Sequence, residues 1–136
     1  MIGTSRFRKT PVAAEIEAAL GDRYDREQLA TIDRFSTTID LPAGEVFVTE
    51  GQVGQEVILI LDGTAVVCRN GETIASVGAG DLVGERAVLR NQPRNASLIA
   101  TTALTIAVFS AREFHSVLAA APSLAADVAA LEAARS

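Results

Sequence analysis

The stretch EVILILDGTAVVCRNGETIASV, residues 56–77, decides the fold. Three runs rich in Val, Ile and Thr are separated by Asp62-Gly63 and Asn70-Gly71. Asp-Gly and Asn-Gly are strong hairpin signals, because a type I′ turn needs positive φ at both central residues. Residues 56–61, 64–69 and 72–77 therefore read as an antiparallel meander. Working outward, Pro42-Ala43-Gly44, Glu50-Gly51 and Gly78-Ala79-Gly80 punctuate the same pattern from Thr37 onward, and two further strands are expected near 96–101 and 104–109. Many short strands with turn signals between them indicate a sandwich, a jelly roll or a small barrel.

Helices flank this β region. Thr10 before Pro11 reads as an N-cap and first-turn proline. Val12, Ile16 and Leu20 recur at helical spacing until Gly21. Asp25, with Gln28 three residues later, suggests a capping box opening a second helix with Leu29 and Ile32 as its apolar stripe and Phe35 near its end. After the strands, 111–120 carries Phe114, Val117 and Leu118 on one face. Pro122 opens a last helix, with Ala121 or its neighbour as an imperfect cap and an apolar stripe of Leu124, Val128 and Leu131. The boundaries expected are a basic tail and helix over 1–24 and a binding domain over 25–134.

Composition narrows the function classes. The 136 residues are 49% hydrophobic and 21% charged, enough for one domain with a core and too apolar for disorder. No apolar run approaches the roughly 20 residues of a membrane helix. Twelve basic against seventeen acidic residues give a net charge of −5, which argues against a nucleic-acid-binding face. Arg6, Arg8 and Lys9 read as a short solvated tail. The N-terminus lacks the apolar segment of a secretory signal and there is one cysteine, so a reducing cytoplasm is the expected compartment.

The chemistry lies in GDLVGERAVLRNQPRNA, residues 80–96. Gly84 lets backbone approach a ligand closely. Residues 85–89 are long enough for about one helical turn, whose first N–H groups and dipole favour an anion. Arg94, fixed in its approach by Pro93, can clamp a phosphate through two charge-assisted hydrogen bonds. Glu85 would repel a phosphate, so it suits a hydroxyl donor such as a ribose 2′-OH.

These residues resemble the phosphate-binding cassette of cyclic nucleotide-binding domains, of the kind found in cAMP receptor proteins and protein kinase A regulatory subunits. Gly84, Glu85, Ala87, Val88, Leu89, Pro93, Arg94 and Ala96 follow that family's pattern in order. Upstream, Gly44, Gly51, Gly54 and Gly63 stand at its usual turns, and the likeness extends over roughly 26–131. The resemblance implies a mainly β fold: an eight-stranded antiparallel β-roll or jelly-roll barrel with N-terminal helices, a short cassette helix and two C-terminal helices. It implies that Glu85 accepts the ribose 2′-OH and Arg94 pairs with the cyclic phosphate. Backbone N–H groups near Arg86, Ala87 and Ala96 would complete the anion site, with Val83 and Val67 facing the purine. Val83 departs from the family's aromatic residue, Arg86 from an apolar one, and Asn95 from Ser, Thr or Ala. A Thr at that last position favours cGMP in the family, so cAMP is the expected ligand and cGMP the second candidate.

The expected function is thus a regulatory binding module and not an enzyme, with no catalytic cofactor. Ligand would close the cassette, and the helix over 122–134 would move onto the barrel as a lid. The alternatives are an interaction domain of this fold that has lost its ligand, or the sensor domain of a channel or transporter. Only five residues follow Leu131, too few for a helix-turn-helix, so no nucleic-acid contact is expected from this chain alone. The effector is then an unidentified protein or a further domain. The last helix can pack on its own barrel or on a second copy in a homodimer. Other signals are discounted. Gly78, Gly80 and Gly84 carry one residue too many for a dinucleotide fingerprint. Asn95-Ala96-Ser97 matches a glycosylation sequon only by letter. His115, the single histidine, cannot build the metal site of a cupin-type enzyme. Cys68 reads as a thiol packed in a strand.

Overall fold

The computed structural model describes residues 6–7 and 13–134. Strand β1 (Arg6–Phe7) precedes helices α1 (Ala13–Leu20) and α2 (Arg26–Phe35). Then come β2 (Thr37–Leu41), β3 (Val46–Val48), β4 (Glu56–Asp62), β5 (Thr64–Arg69), β6 (Glu72–Gly78) and β7 (Leu82–Val83). Helix α3 (Glu85–Leu89) separates these from β8 (Ser97–Ala100) and β9 (Leu104–Ser110), and α4 (Ala111–Ala120) and α5 (Pro122–Ala134) close the chain. The strands form two antiparallel sheets, in the orders β1-β2-β9-β4-β7 and β3-β8-β5-β6. Eight of them, β2 to β9, make the expected roll. The expected Thr10-Pro11 cap lies outside the described residues.

The meander is only half present. β5 and β6 pair across Asn70-Gly71, where φ is +53° and +80° as a type I′ turn requires. β4 and β5 do not pair: at Asp62-Gly63 the chain crosses from the first sheet to the second. The reason lies in β4 itself, whose residues 57–61 are all buried. A strand buried on both faces belongs in the interior of a covered sheet, and β4 has β9 on one side and β7 on the other. Its alternation divides it between two cores. Val57, Leu59 and Leu61 face the helices, while Ile58 and Ile60 face the second sheet. β9 divides in the same way, with Ala107 and Phe109 toward the helices and Leu104, Ile106 and Val108 between the sheets. In the tail, Arg6 and Phe7 extend the first sheet by pairing with Asp40 and Ile39 of β2, while Arg8 and Lys9 lie outside the described residues.

The helices pack on the outer face of the first sheet. Ile16 and Leu20 of α1 and Ile32 of α2 join Phe114, Val117, Leu124 and Val128 in one cluster. Asp25 caps α2 by accepting the Gln28 N–H at 2.9 Å. Ser110 and Glu113 form a reciprocal capping box at the start of α4. Ala121 stands at the start of α5 as the expected imperfect cap: its carbonyl accepts the Ala125 N–H at 3.0 Å, but its methyl side chain offers no acceptor. Instead Gln28, reaching over from α2, accepts the Ser123 N–H at 3.0 Å. The α4 and α5 axes differ by 118°, and among the described residues no single helix is long and apolar enough to cross a membrane.

Candidate functional site

Local pairing carries residues 82–96 to the rim of the roll. β7 pairs with β4, setting Val83 opposite Ile58, and Gly84 follows with φ of +83° as the N-cap of α3. Only glycine adopts that conformation cheaply. The α3 turn places Glu85 inward, 1% exposed. Beyond α3, Pro93 bridges Val53, the Arg94 N–H bonds to Gln52 O at 2.8 Å, and Arg94 O accepts from the Gly51 N–H at 2.8 Å. The turn at 51–53 thus holds the arm that carries Arg94 on both sides.

The Arg94 side chain is buried, 9% exposed. Its Nη2 donates to Glu56 O at 2.7 Å and its Nη1 to Gly84 O at 3.2 Å. Burial pulls the guanidinium pKa downward, while the carboxylates of Glu56 and Glu85 oppose that shift. Two glycines leave room for it. A Cβ on Gly54 would come within 2.9 Å of Arg94 Nε and 2.6 Å of the Ala87 Cβ, and one on Gly84 would overlap Arg94 Nη1 and approach Glu56 O to 3.1 Å. Gly84→Ala is therefore expected to lower stability by about 1–2 kcal/mol from its left-handed backbone alone. Chemical denaturation checks this, and a variant as stable as the parent would refute both the left-handed conformation and the close packing at Gly84.

A cavity of about 310 Å³ opens here; Val67, Val83, residues 84–87 and residues 94–96 all line it, whereas Val88 and Leu89 of the cassette pattern do not. Val67 and Val83 supply aliphatic wall, residues 84–87 supply the start of α3, and Arg94, Asn95 and Ala96 complete the lining. Glu85 and Arg94 thus share one cavity, a buried carboxylate and a buried guanidinium. One oxygen of that carboxylate, Oε2, is buried and accepts no hydrogen bond among the described residues, although Glu85 interacts with its surroundings. Chemically, the arrangement offers an acceptor for a hydroxyl and a donor fork for an anion, beside an apolar wall without an aromatic ring.

The cavity includes residues the sequence reading did not single out. Ala75 and Leu98 are the cross-strand partners of Val67, so strand alternation could have found them. Ile74 reaches the cavity because the β5–β6 register slips between Val67 and Cys68. Two successive residues, Ile74 and Ala75, then face one side, as a bulge allows. Arg69 also lines the cavity, and its Nε donates to Asn95 O at 2.9 Å. None of the lining residues belongs to α5. Among the described residues no group of three or more His, Cys, Asp or Glu could hold a metal ion.

The family model of the cyclic nucleotide-binding domain matches residues 38–121. The cAMP-dependent protein kinase regulatory subunit of Schizosaccharomyces pombe is 30% identical over 119 residues, which is 87% of this chain and 27% of that protein. A cyclic nucleotide-gated potassium channel of Rhizobium etli is 29% identical over 85 residues, 62% of this chain and 24% of the channel. The chain thus spans about a quarter of the length of these relatives. Among solved structures, a cyclic nucleotide-binding domain of Methylobacillus flagellatus superposes with a TM-score of 0.82 at 25% identity, covering 96% of this chain and 83% of the other. The catabolite activator protein of Thermus thermophilus gives 0.75 at 24% identity, covering 89% and 57%, a likeness of fold.

Proposed function

This chain belongs to the cyclic nucleotide-binding domain family, and we propose that it is a regulatory module that binds cAMP in the cavity between β7, α3 and the arm of Arg94. The observation that carries the reading is the convergence of Glu85 and Arg94, both buried, on that one cavity. Glu85 accepts the ribose 2′-OH. Arg94 meets the cyclic phosphate, with backbone N–H groups near Arg86, Ala87 and Ala96. Val67 and Val83 pack on the purine, and residues 25–134 form the binding domain with 1–24 as its N-terminal extension.

The preference for cAMP rests on the absence of Thr at position 95, where a guanine-reaching Thr would favour cGMP; Asn95 itself can both donate and accept. The module itself is not catalytic and works in the cytoplasm. Its output passes to an effector, a separate protein or a further domain, and the much greater length of the relatives supports that arrangement. Ligand closes the cassette and draws α5 over the cavity, which requires that the ligand bind the two states with different affinity.

Calorimetric titration with cAMP and with cGMP tests the reading. Micromolar or tighter cAMP binding is expected, with cGMP weaker. Glu85→Gln removes a charged acceptor and should weaken cAMP roughly 10-fold or more, since a hydrogen bond to a charged group contributes about 1.5–3 kcal/mol. Absence of both binding heat and thermal shift with either nucleotide would show a domain of this fold that has lost its ligand.

A further inference from the structure

Helix α5 rests on the N-terminal helices through two hydrogen bonds that join distant parts of the chain. Tyr24, in the turn between α1 and α2, donates from its hydroxyl to Asp127 Oδ2 at 2.5 Å, across 103 residues. Gln28, in the first turn of α2, accepts the Ser123 N–H at 3.0 Å, across 95 residues. Tyr24 and Gln28 are both buried, so both partners of α5 are held rigidly by the helical cluster.

Beside α5 lies an open cleft of about 130 Å³, lined by Leu20, Leu82, Leu124, Val128 and Leu131 and by the polar Arg23, Tyr24, Asp81 and Asp127. Leu124 and Val128 are buried in the helical cluster, and the two hydrogen bonds tie the exposed Ser123 and Asp127 of α5 to the same helices. Leu131 also packs in the same cluster as Val88 and Leu89 of α3, the helix that begins at Glu85. Yet α5 contributes nothing to the lining of the 310 Å³ cavity.

We propose that Tyr24 and Gln28 form a latch that holds α5 on the N-terminal helices and away from the cyclic nucleotide cavity, and that the strength of this latch sets the ligand affinity. The inference rests on the reading of that cavity as the nucleotide site. The stripe of Leu124 and Val128 can be buried in one seat at a time. Ligand that draws α5 away must first release the latch, and apparent affinity falls by the fraction of molecules in which α5 is released.

Tyr24→Phe and Gln28→Met each delete one bond while keeping side-chain volume, and both α5 partners are exposed residues that water can serve. Two measurements are made on each protein: hydrogen exchange of the α5 amides without ligand, and calorimetric cAMP binding. Each variant should exchange about three- to tenfold faster over α5 and bind cAMP tighter by a similar factor, as the loss of one ordinary hydrogen bond predicts. Unchanged α5 exchange in both variants overturns the latch. Faster exchange with unchanged affinity overturns its control of binding. If neither the parent nor the variants bind a cyclic nucleotide, the functional reading fails and the coupling fails with it, while exchange in the ligand-free protein still decides whether the latch exists.

Discussion

Arg94→Ala is expected to weaken cAMP binding by about 100-fold or more. The parent guanidinium offers a planar fork to the phosphate, and two charge-assisted hydrogen bonds at the lower figure of about 1.5 kcal/mol each amount to about 3 kcal/mol. By the usual conversion that is slightly over two decades in Kd. Arg94→Lys keeps the charge but not the fork, so it should recover only part of the loss. The same substitution has a structural side. Nη1 and Nη2 donate to the carbonyls of Gly84 and Glu56, which would lose those donors. Calorimetry well below the melting temperature separates the two effects. Affinity in Arg94→Ala equal to that of the parent would remove Arg94 from the phosphate site.

The largest stability effect is expected at Phe114. Its ring is fully buried and meets Phe109 edge to face, with centroids 6.1 Å apart. It stands in the cluster that joins β4 and β9 to α1, α2, α4 and α5. Phe114→Ala removes a whole ring from a packed interior and should cost about 3–5 kcal/mol. That is a large fraction of the roughly 5–15 kcal/mol that stabilises an ordinary domain. Urea unfolding measures it, and a loss below about 1 kcal/mol would mean that the cluster can collapse around the gap. Since Leu124 and Val128 share the cluster, faster exchange over α5 should accompany the loss.

What could be read from the sequence was local. Asp25 announces the start of α2, Asn70-Gly71 announces a hairpin, and Gly84 with Glu85 marks the start of the cassette, because each depends on backbone geometry within a few residues. Partner choice was less legible. Asp62-Gly63 carries the same turn signal as Asn70-Gly71 but redirects the chain into another sheet. The available clue was VILIL at 57–61, apolar at every position, which marks a strand covered on both faces rather than one arm of a half-exposed hairpin. Gln28 was legible as a residue near a cap, yet the helix its side chain caps begins at Pro122. Likewise Glu85 and Arg94 could be found by chemistry and spacing. Ile74 could not, because it reaches the cavity through a slip in strand register, and Arg69 required knowing which strand lies beside Asn95.

The pairing of β2 with β9 has a consequence for how the protein is made. Thr37 lies opposite Val108 and Leu41 opposite Leu104, so the first long strand waits for the last before either is complete. Loop closure over such distances must be met before the contacts repay it, which places the roll among slow-folding topologies. During synthesis from the N-terminus, β2 and β4 emerge well before their common partner. Until residue 110 has left the ribosome, both present bare edges of the kind that recruit other strands. Translation that stalls before that point should yield aggregating fragments, whereas interruption within the final helix should spare both sheets.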